Sequence, residues 1–199
     1  MVKTAYSCGK PALGVGAGNV PAYIHKSANV RQAVNDIVMS KAFDNGMVCA
    51  SEQGCFIDRV IFDQAIDLFK QFGVFFLNEK EKLKLMKLAF GVDQKEDYPK
   101  AKLNPNIVGQ SALSLAEQVG IKVPNNTVIL GVFCEKVGLE EPFSKEKLSP
   151  ILAFYAVENE LEGIDKAKNM VEYDGLGHSA CIHANDSDVV KRFGTVIKA

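Results

Sequence analysis

Residues 54–77, Gly54-Cys55-Phe56-Ile57-Asp58-Arg59-Val60-Ile61-Phe62-Asp63-Gln64-Ala65-Ile66-Asp67-Leu68-Phe69-Lys70-Gln71-Phe72-Gly73-Val74-Phe75-Phe76-Leu77, read as strand, helix, strand. Gly54 to Asp58 is a short apolar run of strand length. From Val60 to Phe72 the apolar residues Ile61, Ala65, Leu68, Phe69 and Phe72 recur at helical spacing until Gly73 ends the helix. Val74 to Leu77 is a second strand-like run. The same alternation holds along the chain. Strands are expected at Val20–Ile24, Thr127–Val132 and Ile151–Ala156. A further strand follows the turn in 175–183, and a last one lies at Thr195–Ile197. Helices are expected from an N-cap at Ser27 to Phe43, and over Glu79–Phe90, Ser111–Val119, Glu160–Tyr173 and Asp186–Phe193. The lysines of the Glu79–Phe90 helix are expected to form a solvated face. Residues 91–106 and 140–150 read as polar loops. Strands alternating with helices imply an α/β fold: one domain with a largely parallel sheet and helices on both faces.

Composition narrows the functional classes. The chain has 199 residues, 47% hydrophobic and 24% charged, which suits a soluble globular protein with a real core. A formal charge of −1 leaves no electrostatic footprint for nucleic acid or an anionic membrane, and neither partner is expected. No apolar run approaches the ~20 residues of a membrane span, and the first residues lack a secretory pattern. The five cysteines, at 8, 49, 55, 134 and 181, are odd in number and contain no C-x-x-C. A disulfide scaffold and a zinc ribbon are thereby disfavoured, and a reducing cytoplasm is the expected location. Three histidines, at 25, 178 and 183, are too scattered for a metal site, and none is expected.

One stretch carries the chemistry: Phe43-Asp44-Asn45-Gly46-Met47-Val48-Cys49-Ala50-Ser51-Glu52-Gln53. The Asp-Asn-Gly turn ends a helix and puts a cysteine on an exposed bend beside free backbone amides. A nucleophilic thiol needs that combination of access and nearby donors. Packing is the default for the other four cysteines, and Asn45 and Gly46 shape the turn. A second stretch, 9–21, is glycine-dense, with glycines at 14, 16 and 18. It is not the dinucleotide fingerprint G-x-G-x-x-G, because the third glycine comes one residue early and a strand follows. A close backbone crossing or a wall of a substrate tunnel is the better reading.

Together these stretches resemble the aldehyde dehydrogenase superfamily, in particular its CoA-acylating branch. Asp44–Gln53 resembles the nucleophile motif, and Gly9–Asn19 the segment leading into it. Glu141-Pro142-Phe143 with Glu146-Lys147-Leu148-Ser149-Pro150 is similar to the E-x-F-G-P-x-L element, and Gly177-His178-Ser179 to the branch's glycine-histidine turn. The resemblance covers nearly the whole chain. It implies Cys49 as nucleophile, Glu146 as the residue positioning the nicotinamide ribose, and His178 as a proton relay or a contact to CoA or cofactor. Read from the residues alone, Glu146 is as much a surface carboxylate in a charged loop, and His178 a turn histidine bonded to backbone. The alignment also puts Val15 where the hydrolytic enzymes carry a water-activating glutamate. A valine cannot take a proton, so the acyl group would pass to the thiol of CoA.

The implied reaction is the NAD-dependent, reversible conversion of an aldehyde and CoA to acyl-CoA, with acetaldehyde as the first choice of substrate. A CoA-dependent succinate-semialdehyde dehydrogenase and a non-catalytic assembly module of the same descent are the alternatives. The resemblance further implies that 1–199 is the catalytic domain of a larger enzyme. The NAD-binding domain would precede it, with an oxyanion-holding asparagine supplied from outside the chain. A homo-oligomer, fusion to an iron-type alcohol dehydrogenase half, and little dehydrogenase activity from this chain alone are also expected.

Overall fold

The computed structural model describes residues 2–11 and 17–199. Six strands, β1 (Val20–Ile24), β2 (Glu52–Asp58), β3 (Val74–Phe76), β4 (Ile129–Phe133), β5 (Ile151–Val157) and β6 (Cys181–His183), form one sheet in the order β3-β4-β5-β2-β1-β6. Every neighbouring pair is parallel. The helices are α1 (Val2–Ser7), α2 (Val30–Ala42), α3 (Arg59–Gln71), α4 (Glu79–Phe90), α5 (Ala112–Gln118), α6 (Glu160–Asp174) and α7 (Ser187–Val196).

Two-residue alternation along the strands splits the core into two layers. Ala22, Ile24, Cys55, Ile57, Leu152 and Phe154 pack with Val34 and Ile37 of α2 and with Ala65 and Phe69 of α3. Tyr23, Phe56, Ala153 and Tyr155 belong to the opposite layer, with residues of α4, α5, α6 and α7. Both layers are apolar, and the stretches 55–57 of β2 and Ile151–Val157 of β5 are largely buried apolar runs, as a sheet covered on both faces requires. Phe56 stacks on Tyr155 at 4.5 Å between ring centroids, tying β2 to β5.

The strand order decides where the site can form. From β2 the chain goes to the far edge at β3, then returns through β4 to β5, which lands beside β2. The segments that enter β1, β2 and β5 therefore meet at the amino ends of three adjacent strands, although they lie up to 128 residues apart in sequence.

Several expected boundaries are corrected. Asn29, not Ser27, caps α2 by accepting from the Gln32 N–H. The Ser27 hydroxyl instead accepts from the amides of Asn185 and Asp186, ahead of α7. The expected strand Thr195–Ile197 is the end of α7: Thr195 and Val196 are helical, and the Ile197 N–H still donates to the Phe193 carbonyl. β4 begins at Ile129 because Thr127 closes a turn onto Pro124. Within 91–106, residues 95–100 form a short 3-10 helix. On α4, Lys82 departs from the solvated face, since it pairs with Glu141 at 2.9 Å and both side chains are nearly buried.

Gly163 of α6 faces Tyr23, where an added Cβ would lie 2.6 Å from the ring. The ring cannot swing clear, because its hydroxyl donates to Asp58 at 2.7 Å. Gly163→Ala should therefore destabilise the fold by about 1–3 kcal/mol through overpacking, more than the ~1 kcal/mol that helix propensity returns. A lower urea midpoint is expected, and an unchanged or higher one would show that Tyr23 yields.

Candidate active site

The turn before Cys49 is conformationally costly and firmly braced. Asp44, Asn45 and Gly46 are consecutive left-handed residues, with φ of 48°, 51° and 69°. Such a conformation costs a non-glycine residue roughly 1–2 kcal/mol, so something must hold it. The Asn45 side-chain amide donates to the Gly109 carbonyl at 3.0 Å, and the Met47 N–H donates to the Asp44 carbonyl. At Gly46 a Cβ would sit 2.6 Å from the Ser149 carbonyl oxygen, so only glycine lets the two segments touch. Beyond the turn, the Ser51 N–H closes onto the Val48 carbonyl at 2.9 Å, and β2 begins. Cys49 sits inside this braced bend and is exposed.

Gly18 is the point of contact between the three segments. A Cβ there would overlap the Cys49 carbonyl oxygen and come within 2.9 Å of a Glu146 carboxylate oxygen. The Gly18 N–H donates to Glu146 Oε1 at 2.7 Å. Cys49 and Glu146 thus flank the same glycine. Among the described residues, the second Glu146 oxygen carries no hydrogen bond. Glu146 is half-buried and anchored, not a loose surface carboxylate.

Behind Glu146 and Cys49 lie two fully buried lysines. The Lys147 ammonium donates to the carbonyls of Gln53 (3.0 Å), Phe143 (2.7 Å) and Lys145 (2.7 Å). Its backbone N–H donates to Gln53 Oε1 at 3.0 Å, and Lys41 Nζ approaches the same oxygen at 3.3 Å. The Gln53 side-chain amide then donates to the Ser51 carbonyl at 3.1 Å. Burial pulls Lys147 down to about 7, and burial together with the neighbouring Lys147 charge pulls Lys41 well below the usual lysine range. Burial pushes Glu52, beside Lys41, upward.

His178 takes a different position. It lies partly exposed in the turn after α6, with its N–H donating to the Gly175 carbonyl and Nδ1 3.1 Å from the Ser179 hydroxyl. Among the described residues no hydrogen bond joins it to Cys49 or Glu146. Its turn approaches the site through Gly175, which packs against the Asn19 backbone next to Gly18. Val15 lies outside the described residues. Of the remaining cysteines, Cys55 and Cys134 are buried and Cys181 half-buried, whereas Cys8 is exposed and does not pack as expected. A cavity of about 490 Å³ near the carboxyl end of β4, lined by Lys82, Tyr98, Phe133 and Cys134 among others, includes none of Cys49, Glu146 and His178.

Lys41 shares the buried face of α2 with Val30, Val34, Ile37 and Val38, a spacing visible in the sequence. Gln53 merely closes the cysteine stretch in the sequence, and Lys147 is one charge among several in its loop. Nothing local marked either as central.

No protein-family model matches the chain. Its relatives are nevertheless clear. Aldehyde-alcohol dehydrogenase 2 of Entamoeba histolytica is 56% identical over 200 residues, covering all of this chain and 23% of that protein. Among solved structures, an acetylating aldehyde dehydrogenase from Geobacillus thermoglucosidasius superposes with a TM-score of 0.91 at 45% identity, over all of this chain and 42% of the other. The chain is similar to acetylating aldehyde dehydrogenases over its whole length. A propionaldehyde dehydrogenase from Rhodopseudomonas palustris, solved with bound CoA and an acylated cysteine, superposes with a TM-score of 0.85 at 29% identity, over 100% of this chain and 43% of that one. The chain spans about a quarter of the length of the Entamoeba relative and about two-fifths of these structures.

The buried lysines give the stability a pH dependence. Unfolded lysines hold their protons to about pH 10.4, so above roughly pH 7 the unfolded chain binds more protons than the folded one, and stability rises with pH. The buried thiols Cys55, Cys134 and Cys181, all pushed upward by burial, oppose this once unfolded thiols ionise near pH 8.5. Urea midpoints should therefore rise between about pH 7 and 8, and rise less in Lys147→Met. A flat wild-type profile, or equal slopes in both proteins, would contradict this.

Proposed function

We propose that this chain is the nucleophile-bearing catalytic domain of a CoA-acylating aldehyde dehydrogenase, with Cys49 as the nucleophile. The observation that carries the reading is the junction at Gly18, where the backbone carbonyl of Cys49, an exposed cysteine on a braced bend, and the anchored Glu146 carboxylate meet one glycine. The Cys49 thiolate attacks the aldehyde carbonyl and forms a thiohemiacetal. Collapse of that adduct expels hydride and leaves a thioester on Cys49, which the thiol of CoA displaces as acyl-CoA. NAD, when bound, would supply the hydride acceptor, and Glu146, one of whose oxygens accepts from the Gly18 N–H, would position its ribose. One thioester exchanges for another, so the reaction runs in both directions.

His178 is proposed as a proton relay or CoA contact at the edge of this site. Acetaldehyde is the proposed aldehyde. The rest of a larger protein would supply most of the NAD contacts, and an iron-type alcohol dehydrogenase half would follow in the full-length chain, as the naming of the Entamoeba relative suggests. Assembly as a homo-oligomer in the cytoplasm completes the proposal. Among the described residues no helix is long and apolar enough to cross a membrane.

Acyl exchange tests the nucleophile without any need for hydride transfer. After incubation with acetyl-CoA, mass spectrometry should find one acetyl group on Cys49 and none in Cys49→Ala. Acetylation at another cysteine, or equal labelling of the variant, would overturn the assignment.

A further inference from the structure

The mechanism uses Cys49 and Glu146 but leaves the buried polar groups behind them without a role. Lys147 follows Glu146 directly in the chain, and its three ammonium donors reach three backbone carbonyls. Two of these, Phe143 and Lys145, belong to the segment that carries Glu146. The third, Gln53, belongs to the strand that Cys49 leads into. The Gln53 side chain completes the link, accepting from the Lys147 N–H and donating to the Ser51 carbonyl. Ser51 in turn holds the bend from inside, through its N–H to the Val48 carbonyl and its hydroxyl to the Gly46 carbonyl. On the outer side, Glu146 holds Gly18 against Cys49. The contacts close into a ring running Cys49, Gly18, Glu146, Lys147, Gln53, Ser51 and back through Val48.

We propose that Lys147 and Gln53 are positioning residues that fix the Cys49 bend relative to the Glu146 carboxylate. This deepens the reading of Cys49 as nucleophile and rests on it. Burying a lysine is costly, and a hydrophobic residue would cover the same volume at lower cost. What an apolar side chain cannot do is tie three carbonyls from two distant segments together. Charged and titratable groups face this pair from each packed element: Lys41 from α2, Glu52 from β2, Cys134 from the end of β4, and Glu141 and Glu146 from the loop before β5. Burial disfavours charge on both lysines while the carboxylates among these groups favour it, and the ring is held by its hydrogen bonds.

Gln53→Glu isolates one arm of the ring. A glutamate keeps the oxygen that accepts from Lys147 and Lys41 but loses the donor to Ser51, and its charge suits both lysines, so the fold is retained. Lys147→Met removes the other arm. Two readouts on this chain separate a positioning role from general stability: amide hydrogen exchange at Ser51 and Gly18 against the β5 amides, and the rate at which acetyl-CoA labels Cys49. In Gln53→Glu, exchange at Ser51 should rise at least about fivefold, the worth of one hydrogen bond, while β5 stays protected and labelling slows by a similar factor. In Lys147→Met, Gly18 should loosen as well. Wild-type exchange and labelling in Gln53→Glu would overturn the proposal, as would a uniform rise that includes β5. If the wild-type chain itself takes no acetyl group, the nucleophile reading falls, and the exchange pattern still decides whether the ring holds the bend.

Discussion

The contact between the Lys147 ammonium and the Gln53 carbonyl is the constraint on which the site depends. It joins two segments 94 residues apart in the chain, in a place from which water is excluded. A buried ammonium must find an acceptor for each donor or the fold does not tolerate it. Lys147 finds three, all backbone carbonyls, so the positions of the Glu146 segment and the start of β2 are set together. Gly18 completes the arrangement from the third segment. Any side chain there would displace the Cys49 backbone, so the glycine is fixed by contact as well as by conformation.

The sheet topology makes this meeting possible. Ligands of open parallel sheets commonly sit outside the carboxyl ends of the strands. Here Cys49, Gly18 and Glu146 gather at the amino ends of β1, β2 and β5, where three entering segments converge. The strained Asp44-Asn45-Gly46 turn fits the same logic. Three successive left-handed residues hold their shape only because Gly109 and Ser149 over-determine it, and the gain is a cysteine presented on a bend that cannot relax.

Much of the fold could be read from the chain because its elements are locally consistent. Glu79–Phe90 is delimited by an Asn78 capping box and a left-handed Gly91, and residues 55–57 and Ile151–Val157 are apolar runs of strand length. Errors fell where a long-range bond outbid a local preference. Ser27 looks like a helix cap but spends its hydroxyl on two amides 158 and 159 residues away. Thr195-Val196-Ile197 is β-branched, yet the tail finds its hydrogen bonds in α7, with no strand beside it to pair with. At the site, Cys49 was legible because an Asp-Asn-Gly turn announces an exposed bend. The Gly18–Glu146 bond and the Lys147–Gln53 link were not, since both exist only once β5 lies beside β2. His178 shows the reverse: a motif drew attention to it, while its own hydrogen bonds are local to its turn.

The central claim is that this chain preassembles a reactive cysteine at the Gly18 junction. Mild alkylation with iodoacetamide at neutral pH, followed by peptide mapping of all five cysteines, tests it most directly. Cys8 is also exposed but lies outside the site, and so serves as the internal reference. The account predicts that Cys49 is modified first and well ahead of Cys8. Modification of Cys49 no faster than Cys8 would contradict it.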